Sequence, residues 1–139
     1  MKHLVTGTLL FALSACPAHA LEIRTEPVRF ESGANTAVVE DTISGREIVD
    51  YALRARQGQF MEISMTTDNT ASYFNVLAPG ENEVAMFTSS TGGNRYGGLL
   101  PESGEYKIRV YLVRSAARRD ESAGYRLEME VRDGHAQRD

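Results

Sequence analysis

Histidine is almost missing from this chain: His3, His19 and His135 are the only three, and none lies in its body. A Ser-His-Asp triad, a histidine metal cage and a histidine general base therefore have no members there. Cysteine occurs once, as Cys16, so thiolate zinc sites and an internal disulfide are excluded as well. The fold must rest on its core alone, and about 119 residues after the N-terminal segment suffice for that. Past that segment no apolar run approaches the length of a membrane-spanning helix. Basic residues are in the minority. Only Lys2 is charged within the first twenty positions, so the remainder carries 14 Lys and Arg against 19 Asp and Glu, a net −5. Such a body suits neither nucleic acid nor an anionic membrane surface. It suits a cationic protein partner, whose approach it would steer.

The N-terminus reads as an export signal. Lys2 and His3 precede an apolar stretch from Leu4 to Ala15, and Ala18-His19-Ala20 supplies a small-x-small cleavage site. This predicts residues 1–20 as a signal peptide cut after Ala20, and a periplasmic protein. Leu13-Ser14-Ala15-Cys16 also fits a lipoprotein box, in which Cys16 would carry the anchor; Pro17 is an awkward neighbour for that chemistry. Both readings export the chain.

Residues 21–27 read as a lead-in, 28–132 as one domain, and 133–139 as a polar tail. Within the domain, apolar and polar residues alternate with period two. Val49, Tyr51, Leu53 and Ala55 share one face, with Asp50, Arg54 and Arg56 on the other. Met61, Ile63 and Met65 alternate likewise, as do Tyr106, Ile108, Val110 and Leu112, and Tyr125, Leu127, Met129 and Val131. With Val28–Glu31, Ala37–Ile43, Tyr73–Leu77 and Val84–Thr88 this predicts an all-β antiparallel sandwich of about eight or nine strands, one face of each sheet buried. Ser115 to Glu121 is the one helical turn. Gly92-Gly93 and Gly97-Gly98 read as turns flanking a short strand.

Candidate chemistry is sparse. Glu47 with Asp50, and Asp120 with Glu121, are carboxylate pairs of the kind nineteen acids produce by chance. Neither Asp68-Asn69 nor Asp120-Glu121 has the dense oxygen spacing of a calcium loop. The glycine pairs lack the strand-loop-helix setting of a phosphate site. No catalytic residue, metal or cofactor is expected. The richest stretch runs from Leu100-Pro101-Glu102-Ser103-Gly104-Glu105-Tyr106 through a strand to Arg114-Ser115-Ala116-Ala117-Arg118-Arg119. On a helical turn Arg114 and Arg118 share a side, giving forked donors that match carboxylates. Two readings compete: a binding surface, or an ordinary Ser-Gly turn, a core Tyr106 and arginines that are solvated or paired with Asp120 and Glu121.

Tyr51 to Val131 resembles the periplasmic inhibitors of goose-type lysozyme. The matching pieces are Ala55-Arg56-Gln57-Gly58-Gln59, Ala78-Pro79-Gly80, Leu100 through Val110, Arg114-x-x-Ala117-Arg118 and Tyr125. A looser likeness extends to the β-sandwich domains at the C-termini of secreted pre-peptidases. The resemblance implies a sandwich that blocks the cleft of a cationic goose-type lysozyme, with Ser103, Gly104 and Tyr106 in a Ser-Gly-x-Tyr loop and Arg114 and Arg118 in a second loop. The two loops are expected side by side at one rim, as a plug. Arg46 and Ile48 stand where the likeness leads one to expect aromatic residues. The alternative is a non-catalytic sandwich that binds glycan or another secreted protein.

Overall fold

Wherever the sequence alternates, the backbone is extended. The computed structural model describes residues 23–134. Among them are nine strands: β1 (Ile23–Pro27), β2 (Thr36–Ser44), β3 (Ile48–Ala55), β4 (Gln59–Thr67), β5 (Ser72–Leu77), β6 (Phe87–Thr88), β7 (Arg95–Leu99), β8 (Gly104–Leu112) and β9 (Ser122–Asp133). Two short helices, α1 (Ser89–Gly92) and α2 (Arg114–Arg118), precede β7 and β9. The strands form two sheets, in the orders β1-β3-β8-β5-β6 and β2-β9-β4-β7. Every pairing is antiparallel except β1 with β3. The inward side chains of both sheets form one core, including Leu53, Phe74, Tyr106, Ile108 and Val110 from the first and Met61, Ile63, Leu127 and Met129 from the second. The all-β sandwich expected from the periodicity is thus the observed fold. Residues 1–20, the cut after Ala20, Cys16 and the tail from His135 lie outside the described residues.

Five local readings change. The lead-in is β1, a parallel edge strand beside β3. Val28–Glu31 is not a strand: after Val28 N–H donates to Ala52 O the chain crosses from one sheet to the other, and Val28 and Phe30 cap the core on the way. Of Val84–Thr88 only Phe87 and Thr88 pair, and Val84 is left 69% exposed. Gly97 and Gly98 lie inside β7 rather than at a turn. The Phe60 ring lies over Gly97 and the Tyr96 hydroxyl over Gly98, filling the space their missing side chains leave. The polar tail also begins later than expected, because Asp133 closes β9.

Asp50 departs furthest from its expected exposure. It lies on the outer face of its sheet yet is 3% exposed. Arg109, its cross-strand partner, grips both carboxylate oxygens, Nε to Oδ1 at 2.7 Å and Nη2 to Oδ2 at 2.9 Å. The loop after β5 folds back over the pair: Arg109 Nη1 donates to Asn82 O at 2.9 Å, and Lys107 Nζ to Asn82 Oδ1. Opposite alternation is preserved, but the outer face has its own cover. Between the sheets, the Tyr51 and Tyr125 hydroxyls share a hydrogen bond of 2.6 Å.

Two outcomes follow from this packing. Arg109→Ala strands a buried carboxylate and should cost about 3–5 kcal/mol of unfolding free energy in urea; a loss under 1 kcal/mol would show that Asp50 is not held as described. Burial raises the pKa values of Tyr51, Tyr96, Tyr106 and Tyr125, in Tyr125 reinforced by its hydrogen bond to Tyr51. A raised tyrosine favours folding fully below its unfolded value of about 10 and loses that contribution as pH climbs past it. An alkaline titration should therefore show these four phenols ionising together with loss of near-ultraviolet circular dichroism. Gradual ionisation with the fold intact would contradict their burial.

Candidate functional site

The Arg114 side chains and their neighbours are positioned by α2. Ala116 and Ala117 are buried and anchor the turn on the core, and Ala117 N–H donates to Val113 O. Arg114 and Arg118, four apart, are left on the exposed side. The helix ends sooner than the expected Ser115–Glu121, because Asp120 takes a left-handed φ of 52°. Arg119 and Glu121 form an ion pair at 2.6 Å. That contact and a hydrogen bond from the Asn69 side chain lower the Glu121 pKa, the Asn69 bond weighing more. Arg114 and Arg118 make no ion pair among the described residues; of the three arginines, only Arg119 is internally neutralised.

Arg114 and Arg118 border a groove of about 440 Å³, closed by Gly45, Arg46, Glu47 and Ile48 from the β2–β3 turn and by Tyr111, Leu112 and Ala117. The turn is docked on the α2–β9 connection: Gly45 N–H donates to Glu121 O at 2.9 Å, and a side chain at Gly45 would meet Asp120 Oδ1 at 2.9 Å. Gly45 also holds φ +59°, open to glycine at no steric cost.

The Ser103-Gly104 bend lies elsewhere. It precedes β8 and α2 follows it, so the bend and the arginine loop are separated by the strand's length, about 26 Å at the usual rise per residue. The single plug expected at one rim does not exist, because an extended strand of nine residues carries its two flanking loops to opposite ends of the sandwich. At its own end the bend is knitted to the β3–β4 turn. Ser103 Oγ accepts from Gln57 N–H at 2.8 Å, and Gly58 N–H donates to Leu100 O. Gly104, at φ +147°, packs so closely on Pro79 that a Cβ would fall within 2.9 Å of its ring. Tyr106 is wholly buried, and its hydroxyl donates to Glu102 O at 2.6 Å, bracing the bend from beneath. A second groove lies here, lined by Arg54, Arg56, Gln59, Ser103 and Gly104, with Arg56 facing Asp133 at 3.5 Å.

Tyr111 was not among the residues expected at a site, and Arg46 and Ile48 entered only as departures from the resemblance, their contribution left open. The antiparallel register, Val49 opposite Val110, carries the start of β3 to the end of β8 and so gathers them at the Arg114 groove. The signal was present as two alternating strands; their pairing was not. No cluster of three or more His, Cys, Asp or Glu side chains among the described residues is placed to hold a metal.

The two-sheet sandwich thus carries an arginine-lined groove at each end. The solved structure of the Aeromonas hydrophila periplasmic inhibitor of g-type lysozyme is 33% identical, superposes with a TM-score of 0.75, and matches 80% of this chain and 98% of its own. A curated inhibitor of g-type lysozyme from Escherichia coli is 25% identical over 95% of this chain and 98% of its own length. The pre-peptidase C-terminal domain of a Bacillus anthracis collagenase, 14% identical with a TM-score of 0.52 over 83% of this chain and 99% of its own, shares the fold alone. No protein-family model matches the chain. The chain belongs to the family of periplasmic inhibitors of g-type lysozyme.

Tyr106→Phe removes the hydroxyl that holds Glu102 O while leaving the ring in place. It should lower stability by about 1 kcal/mol in chemical denaturation. An unchanged midpoint would mean that the bend does not depend on this bond.

Proposed function

We propose that this chain is an exported inhibitor of g-type lysozyme that enters the enzyme's cleft with the end of the sandwich bearing Arg114 and Arg118. The observation that carries the function is the whole-length likeness to the Aeromonas hydrophila inhibitor. The location is supported by the two arginines that make no ion pair among the described residues. A glycosidase cleft is concave and carries catalytic carboxylates. A guanidinium brought to such a carboxylate forms a short, charge-assisted and often bidentate bond. The groove's walls then occupy space that the sugar chain needs, so inhibition follows from occlusion without a covalent step. The acidic body draws in a cationic enzyme from a distance.

The Ser103-Gly104 bend acts in this reading as a joint of the fold, since Ser103 Oγ, Gly104 and the Tyr106 hydroxyl are all engaged internally. Export follows the leader, with the cut after Ala20 releasing the domain into the periplasm; a lipid on Cys16 is the alternative mode of retention.

The decisive experiment is a peptidoglycan-lysis assay with g-, c- and i-type lysozymes and the purified domain. The parent should inhibit the g-type enzyme. Arg114→Ala and Arg118→Ala should each cost about 2–5 kcal/mol of binding while leaving the thermal midpoint unchanged. Full inhibition by both single variants, with loss on Ser103→Ala instead, would move the contact to the opposite end. No inhibition of any g-type enzyme would sink the function itself.

A further inference from the structure

We propose that the lysozyme-contacting surface takes in the wall of the groove opposite α2 and continues from it onto the outer face of the five-stranded sheet, with Arg46 and Tyr111 as direct contacts. The proposal rests on the reading that the Arg114 end meets the enzyme.

Three rows of side chains cross the outer face of β3, β8 and β5. In the middle row Asp50 and Arg109 lie beneath the loop carrying Asn82. In the far row Ala52 and Leu77 are buried, and Lys107 is tied to that same loop. The row nearest the groove is left open: Ile48, Tyr111 and Tyr73 are all half-buried, and Tyr73 stands directly opposite Tyr111. The loop thus covers the sheet only as far as the groove's edge.

The open row is held in place before any partner arrives. The Tyr111 hydroxyl donates to Asn75 Oδ1 at 3.1 Å, and its ring packs against Tyr73 with centroids 6.4 Å apart. Arg46 is held as firmly at its backbone, by the Gly45 contact to Glu121 O and by Glu47 N–H donating to Ser44 O. Its exposed side chain makes no ion pair among the described residues, and it becomes the third guanidinium around one groove in which Glu47 is the single acid. Fixed aromatic rings and arginines around a concavity are the composition of binding hot spots, and pre-set side chains lose little entropy on docking. The occupant is the same enzyme, for two reasons. The tyrosine row is continuous with the groove through Ile48 and Tyr111, and three cations in one place complement the carboxylates of a glycosidase cleft.

The test is calorimetric titration of a g-type lysozyme with the whole mature protein and its variants Arg46→Ala, Tyr111→Ala and Arg114→Ala, alongside sedimentation with insoluble peptidoglycan. Arg95→Ala, on the outer face of the other sheet, serves as the control and should bind as the parent does. Arg46→Ala and Tyr111→Ala should each raise Kd about tenfold or more. Should Tyr111→Ala fail to fold, Arg46→Ala, on an exposed turn, decides alone. If Arg46→Ala and Tyr111→Ala bind within twofold of the parent while Arg114→Ala is weakened, the contact is confined to the α2 side of the groove and this proposal is overturned. If Arg114→Ala is also unaffected, the groove is not the contact and both readings fall. Loss of peptidoglycan sedimentation on Tyr111→Ala, with lysozyme affinity intact, would make the row a glycan platform and overturn the proposal too.

Discussion

The antiparallel pairing of β3 with β8 is the constraint on which the rest of the molecule depends. Its register sets Val49 against Val110 at one end and Ala55 against Gly104 at the other. Every residue between them has its neighbour assigned: Leu53 and Tyr106 inward to the core, Asp50 and Arg109 outward to each other. A slip of β3 by one position would turn its faces over, burying Arg54 and expelling Tyr51 and Leu53. The same register builds both grooves. At one end it brings the β2–β3 turn beside α2, and at the other it brings Arg54 and Arg56 beside Ser103 and Gly104. The buried ion pair within this ladder penalises misregistered pairing strongly, since each charge is tolerated there only with its partner.

The strands at the centre of the fold were legible because periodicity is a local property. Tyr106 to Leu112 and Tyr125 to Val131 alternate without interruption and lie in β8 and β9, each paired on both sides. Segments at the margins were not legible, since what decides their state is distant in sequence. Ile23–Pro27 is a strand only because β3 offers a free edge, and Val28 and Phe30 look like strand residues while serving as a lid on the core. Asp50 carries no local sign of burial; Arg109, 59 residues away, and the loop at Asn82 produce it. The site shows the same division. Arg114 and Arg118 were legible as a pair through their helical spacing. Their distance from Ser103 was also implicit, because a strand of that length must separate them. Membership of a shared groove with Arg46 and Tyr111 required the pairing partner of β8, which alternation alone does not name.

Neighbouring residues of one type have opposite fates around α2. Arg119 lies beyond the helix, where the chain reverses at Asp120 and brings Glu121 within reach. Arg114 and Arg118 project from the turn itself, away from that reversal. Substituting Arg119 and substituting Arg118 are therefore different perturbations, one loosening a loop and the other altering an exposed surface. Gly45 links the two elements, because only a residue without a side chain lets the β2–β3 turn settle against Asp120. The groove is a joint between two connections, and its shape is as stable as that joint.

The net negative charge of the body and a cationic binding end are compatible because charges are sorted by place. On the outer face of the four-stranded sheet, Arg126 pairs with Glu40 and Glu128, and Arg132 with Glu62 and Glu130. Exposed pairs of this kind contribute roughly 0–1 kcal/mol each and explain little of the stability. Their consequence is electrostatic: Arg126 and Arg132 are neutralised locally, and the acids of that face add to the negative far field. Around the α2 groove the balance is reversed, with Arg46, Arg114 and Arg118 against Glu47. In the proposed binding mode a cationic enzyme is attracted by the body at long range, while its acidic cleft is matched by the three arginines of this groove. The two length scales do different work. Screening over about a Debye length weakens the first, whereas contacts made inside a desolvated cleft are screened much less. In the proposed mode orientation is then decided by the short-range term.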